Sequence, residues 1–127
     1  MEIVIDRYKC LSWNECQKMH YITRGQARDE VIELVLGAIH SDRKILKTAK
    51  SMIGPFTLTI EAHFSHGNRR DPDNLFVKPI IDALVKAGIF PDDNGKVIEA
   101  LTLKAKTKMP NDKIIISIKD NHEAEIL

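Results

Sequence analysis

Charge of one sign is what this sequence most plainly lacks. Its 19 Lys and Arg residues stand against 18 Asp and Glu, a formal net charge of +1. Global charge therefore makes no case for a polyanionic partner, and any such case has to come from local patches. Cysteine is nearly absent too. Cys10 and Cys16 have no metal-ligand spacing and form no dense disulfide framework, so reduced thiols are expected. No apolar run approaches the roughly 20 residues that span a bilayer, so no membrane partner is expected. The opening MEIVIDRYKC alternates apolar and polar residues and offers no apolar core for a signal peptide, which makes the cytoplasm the expected compartment. Internal repeats, linkers, low-complexity segments, a Gly-rich phosphate loop and a G-x-x-x-x-G-K motif are all missing.

What is present reads as one domain over residues 1–127, with 43% hydrophobic and 29% charged residues, as in an ordinary soluble globular chain. EIVID at 2–6 predicts a strand. Residues 11–25 predict a loop with a turn of helix. Val31, Leu34, Val35, Ala38 and Ile39 recur at helical spacing and predict a helix over 26–40. Strict alternation in PFTLTIEAHFS, with Phe56, Leu58, Ile60, Ala62 and Phe64 on one face, predicts a half-buried strand. A helix is expected over 75–87, closed by Gly88, followed by a PDDNG turn. Strands are expected over 96–108 and 113–119, with Met109–Asp112 as a hairpin loop between them, and a frayed tail, NHEAEIL. The fold class is thus α/β (mixed α+β), in the order β-α-β-α-β-β, with a mixed sheet packed against helices.

The chemistry concentrates between Arg69 and Gly95. Asp71 and Asp73 flank Pro72, which biases Asp71 toward extended backbone, where residues two apart project to the same face. Asp73 is also placed to cap the coming helix. Asp92 and Asp93 follow that helix and can return to the same place. Bundled carboxylates suit a hard divalent cation such as Mg²⁺. Each acidic pair taken alone is also ordinary turn composition. Glu61, on the polar face of the preceding strand, is a further ligand candidate or simply an exposed strand glutamate. The five histidines offer no convincing ligand set.

Basic residues cluster locally. From residue 43 to 70 there are six basic residues against one acidic. Arg69 and Arg70 adjoin the acids and suit phosphate, and Lys104, Lys106 and Lys108 alternate along one expected strand and would share a face. Arg43, Lys44, Lys47 and Lys50 form another cluster. Each lysine cluster is as consistent with a solvated face as with a DNA contact. Trp13, Met19 and Tyr21 offer an apolar face for self-association.

Taken together, RRDPDNLFVKPIIDALVKAGIFPDD resembles the signature of the RusA family of Holliday-junction resolvases: an R-x-D-x-D-N element, a lysine one turn before the aspartate of a D-A-L helix, an A-G helix end and a D-D turn, all in order. The likeness is strong over about a fifth of the chain, and the preceding strand agrees with it in character and position. It implies a Mg²⁺-dependent endonuclease (Mn²⁺ substituting) that acts as a homodimer on four-way or branched DNA in recombination and repair, in a family often encoded by phages or prophages. Carried over, Asp71, Asp73 and Asp93 are the metal-binding acids and Lys78 the essential lysine. Arg69, Arg70, Asn74, Lys104, Lys106 and Lys108 would contact DNA. Asp92 would be a neighbour, and Asp82 a support for the helix. One departure stands out: Asn74 and Lys78 are four residues apart where the family pattern has three. In an ideal helix that residue would rotate Lys78 by roughly 100°, unless it is absorbed in a loose first turn near Pro79. Lys78 could otherwise simply solvate a helix end, leaving a catalytically silent junction-binding module as the alternative.

Overall fold

The computed structural model describes residues 1–122. Along the chain lie strand β1 (Glu2–Asp6), helices α1 (Trp13–Gln17), α2 (Tyr21–His40) and α3 (Arg43–Ser51), and strand β2 (Phe56–His63). A 3₁₀ turn (Pro72–Asn74), helix α4 (Lys78–Lys86), β3 (Ile98–Lys106) and β4 (Lys113–Asp120) complete it. This is the expected mixed α+β order with helices added in the N-terminal half. Among the described residues no helix is long and apolar enough to cross a membrane.

The four strands form one sheet in the order β1-β4-β2-β3. β2 runs parallel to β3 and antiparallel to β4, and β4 runs antiparallel to β1. The expected β3–β4 hairpin is therefore wrong. β2 lies between those strands, and residues 107–112 cross its end instead of reversing in a tight turn. Phe64 N–H donates to the Lys106 carbonyl (2.8 Å) and Met109 N–H to that of Phe64 (3.0 Å), so the end of β2 fills the gap a hairpin would have closed. β2 and β3 are joined through α4, as a parallel pair requires a crossover.

Alternation decides which face is buried. Phe56, Leu58, Ile60 and Ala62 of β2, and Ile114, Ile116 and Ile118 of β4, pack with Val31, Val35 and Ile39 of α2 and Ile80, Ala83 and Leu84 of α4. The opposite face carries Thr57, Thr59 and Glu61 of β2 beside Ala100, Thr102 and Lys104 of β3, half-buried to exposed.

Local chemistry explains the helix ends. α4 closes as expected: Gly88, at φ 81°, donates to the Val85 carbonyl, and Ile89 N–H reaches back to that of Leu84 (both 3.0 Å). α2 begins five residues before the expected Gln26. Its first turn is capped by His20, whose Nδ1 accepts from Ile22 N–H at 3.3 Å, and His is not among the usual capping residues. α3 is capped by the Asp42 carboxylate, which accepts from Lys44 N–H at 3.0 Å. The tail begins anchored, not frayed: Asn121 N–H donates to the Pro55 carbonyl (2.9 Å) and its side chain to Thr57 Oγ1 (2.8 Å). Residues 123–127 lie outside the described part.

Ile60 on β2 sits opposite Ile116 on β4, both fully buried. Ile60→Ala should lower unfolding free energy by about 2–5 kcal/mol, because the surrounding core refills the cavity only in part. Urea denaturation of both proteins measures the difference.

Candidate metal and phosphate site

The site is built on the exit of β2. Beyond Phe64 the chain is held at once: Ser65 N–H donates to the Asp112 carboxylate (2.7 Å), and the His66 carbonyl accepts from Lys108 N–H (2.8 Å). Arg69 and Arg70 then part ways. Arg69 is 88% exposed, its Nε 3.0 Å from Asp71 Oδ1. Arg70 is only 19% exposed and points inward. Its Nη1 donates to Glu15 Oε1 at 2.7 Å, and its guanidinium lies 5.1 Å from the Phe64 ring centroid. Burial is the largest influence on the Glu15 carboxyl and raises its pKa, but the hydrogen bond and charge of Arg70, with the Ser12 hydrogen bond, together outweigh it and leave the carboxyl below the usual range. Arg70 thus joins the acidic loop to α1, and Arg69 is the arginine left exposed at the loop.

Residues 74–76 are pinned to the same N-terminal segment. Phe76 N–H donates to the Leu11 carbonyl (2.8 Å), Ser12 and Leu75 form an isolated bridge, and the Asn74 side chain accepts from Asn14 N–H (3.3 Å). Asn74 therefore serves the loop's own backbone. Glu15, Asn14 and Trp13 position the acidic segment; sequence reasoning missed Glu15 and Asn14 and gave Trp13 only to an apolar face for self-association. Only the Ser12 cap, three residues ahead of Glu15, hinted at order there.

Asp71 has extended backbone (φ −91°, ψ 128°), but Pro72 to Asn74 wind into the 3₁₀ turn, closed by Asn74 N–H on the Asp71 carbonyl (3.1 Å). The expected side-by-side projection of Asp71 and Asp73 from a strand does not hold. Asp73 does not cap α4 either, which has no side-chain cap and begins only at Lys78. The stretch Leu75–Val77 is non-helical, so the four-residue spacing from Asn74 to Lys78 is spanned by a break and not by a rotated helix turn.

Lys78 Nζ lies 2.5 Å from Asp93 Oδ2 and 3.2 Å from Asp82 Oδ1. The hydrogen bond that Lys78 donates to Asp93, with the one it donates to Asp82, raises the lysine's pKa; the same Lys78 contact lowers that of Asp93. Asp82 is thus the helix-side support expected of it. Asp92 closes its own turn, accepting from Asp93 N–H (2.7 Å) and the Asn94 side chain (3.1 Å). Among the described residues Asp73 has no ion-pair partner, and no three His, Cys, Asp or Glu side chains gather into a metal-holding group. The donor set of Asp71, Asp73 and Asp93 nevertheless suits a hard cation chemically: all are exposed carboxylates, and cationic side chains already face two of them.

Glu61 is not an exposed strand glutamate. Its two oxygens accept from His63 Nε2 and Lys106 Nζ, each at 2.9 Å, and the side chain is largely buried. The Lys106 hydrogen bond, against some desolvation, holds its pKa down. Lys106 is therefore engaged, and Lys104 projects from the same face of β3 fully exposed. Lys108 lies beyond the strand at φ 57°, outside the alternation, with its side chain against Gly67, so the three lysines do not form one stripe. Arg43, Lys44, Lys47 and Lys50 are all exposed on α3. Cys10 and Cys16 are buried free thiols, and burial pushes the Cys10 pKa up to about 12.

The two arginines should separate in stability. Arg70→Ala strips a partly buried charge pair and should cost about 1–3 kcal/mol; Arg69→Ala should stay within about 0.5 kcal/mol of wild type. Thermal melts of both variants check this. A depressed Glu61 pKa makes its contribution complete above the ordinary value of 4.5 and lost as pH falls through the lower folded value. Glu61→Gln should therefore be less stable at neutral pH and lose less on acidification to pH 3, which urea midpoints at the two pH values read out. In comparison with known proteins, no protein-family model and no curated protein sequence matches the chain.

Proposed function

We propose that the chain is a Mg²⁺-dependent, structure-selective endodeoxyribonuclease that resolves four-way DNA junctions by paired symmetric phosphodiester cleavage, as a homodimer in the cytoplasm. The observation that carries this reading is the Lys78–Asp93 pair. It joins the first residue of α4 to a carboxylate 15 positions later, so the lysine and the last acid of the R-x-D-x-D-N…D-D pattern meet at one point, and Asp71 and Asp73 lie on the segment that leads into that helix.

In this reading Asp71, Asp73 and Asp93 would hold the cation, which when bound polarises the phosphodiester and activates water. The protein's own groups supply the rest. Lys78, its pKa raised by Asp93 and Asp82, is held as an ammonium at neutral pH, so its part is positive charge toward the developing phosphorane oxygens and not proton abstraction. Arg69, exposed at the mouth of the loop, takes a phosphate of the entering strand. Arg70 keeps that loop on α1. Lys104 adds a sequence-indifferent backbone contact. A junction has near two-fold symmetry, which a dimer with one site per subunit matches.

A second reading, a catalytically silent junction-binding module, draws on a specific observation: Arg69 and Lys78 already compensate Asp71 and Asp93, and no three acids gather among the described residues.

The deciding experiment compares wild type with Asp73→Asn on a labelled four-way junction and on linear duplex, each with Mg²⁺ and with EDTA. Paired Mg²⁺-dependent nicks on the junction alone are expected, falling by about 10²-fold or more in Asp73→Asn while junction binding persists. Tight binding without cleavage by the wild type would establish the silent module instead.

A further inference from the structure

Beside Lys78 an apolar groove of about 400 Å³ opens between α1, the start of α2 and the start of α4. Its walls include Trp13, Tyr21 and Phe76, and Arg24, Arg28 and Lys78 line it as well. Tyr21 is 71% exposed and Trp13 39% exposed, large aromatic surfaces to leave in water. Trp13 is not a loose ring: it stands edge-on to Phe76, with centroids 4.9 Å apart and planes at 80°. Three cations and no carboxylate line the groove. Arg28 leans toward Asp29 and Asp82 at 3.8 and 3.9 Å, whereas Arg24 has no ion pair among the described residues.

We propose that this groove is a stacking subsite for one unpaired nucleobase of the bound DNA, with the base on Trp13 and Tyr21 and its flanking phosphate on Arg24. Aromatic faces beside cations form the platform on which single-stranded bases stack, because every base has a π-face and every linkage a phosphate. The inference rests on the junction-nuclease reading, and it gives that reading a way to hold the branch point: Lys78 lines the groove and also binds Asp93, so a base held there puts its own strand next to the acids. A second copy of the chain is the weaker occupant. In a two-fold contact the patch faces itself, and Arg24 of one groove, which has no ion pair among the described residues, would meet Arg24 of the other with no carboxylate in the lining to answer it.

Trp13 is the only tryptophan of the chain, so its emission reports on the groove directly. The test titrates the full chain with a short oligothymidylate and with an abasic strand of the same length, without Mg²⁺. Oligothymidylate should quench Trp13 emission saturably and the abasic strand should not. Tyr21→Ala should weaken oligothymidylate binding roughly tenfold. Trp13→Leu, followed by anisotropy of a labelled strand and checked for fold by circular dichroism, should weaken it similarly. Equal quenching by both strands, no quenching, or unchanged affinity in folded Tyr21→Ala and Trp13→Leu would overturn the subsite. So would an emission shift that follows protein concentration alone, which would assign the groove to a second copy. Junction cleavage with an unresponsive Trp13 would remove the subsite and leave the nuclease reading intact. Base-dependent quenching without cleavage would do the reverse.

Discussion

β2 is hydrogen-bonded along its whole length on both sides, to β4 and to β3, and the rest of the molecule takes its positions from that strand. Its core face gives α2 and α4 a surface to bury. Its other face sets Glu61 and His63 next to Lys106. Its exit is gripped by the one segment 106–112: Phe64 binds Lys106 and Met109, Ser65 binds the Asp112 carboxylate, and His66 binds Lys108. The loop bearing Arg69, Arg70 and Asp71 thus leaves from a fixed point, and a loop anchored at both ends can hold charged groups in place with little further ordering.

Three acids in and around that loop, Glu15, Asp71 and Asp93, are each answered by a nearby cation, and the kind of answer differs. Arg70 and Glu15 are partly buried, so breaking their pair leaves an uncompensated charge away from water. Asp71–Arg69 and Asp93–Lys78 are solvent-facing pairs, which water and salt screen and which therefore hold only weakly. Cations held that weakly can give way to a phosphate or a metal ion at small cost. The first pair fits a fixed framework; the other two fit groups that trade partners during binding. Asp73, with no cationic partner among the described residues, is the acid most open to one from outside.

How much of this could be read in the sequence depended on whether the deciding contacts were local. The alternation in 56–64 and the Gly88 helix end were legible, since period-2 burial and a positive-φ C-terminal glycine are properties of a few adjacent residues. The β3–β4 hairpin was not, because Met109-Pro110-Asn111-Asp112 has good turn composition and nothing in it reveals that β2 will lie between the strands. The early start of α2 was hidden by a histidine cap and by Tyr21, Ile22 and Gly25, which carry no apolar stripe. Within the site, Lys78, Asp82 and Asp93 were singled out by the family resemblance, whose pattern runs along one helix and its turn. The inward role of Arg70 was not, since its partners Glu15 and Phe64 are set by packing between segments far apart in the chain.

The spacing of Lys78 shows how such a distant contact can undo a local prediction. Counted along a continuous helix, the residue added after Asn74 would swing the lysine away from the acids. No continuous helix exists there. Leu75, in extended backbone, bridges to Ser12 and Phe76 N–H donates to the Leu11 carbonyl, so both are held by the N-terminal segment, and α4 starts afresh at Lys78 with Pro79 in its first turn. The direction of Lys78 is then fixed by where α4 begins, and not by a residue count from Asn74. Packing of Ile80, Ala83 and Leu84 into the core fixes α4 in turn. The same N-terminal segment that holds Arg70 through Glu15 therefore also allows Lys78 to reach Asp93, and the acidic loop and the lysine are registered against each other through residues 11–15.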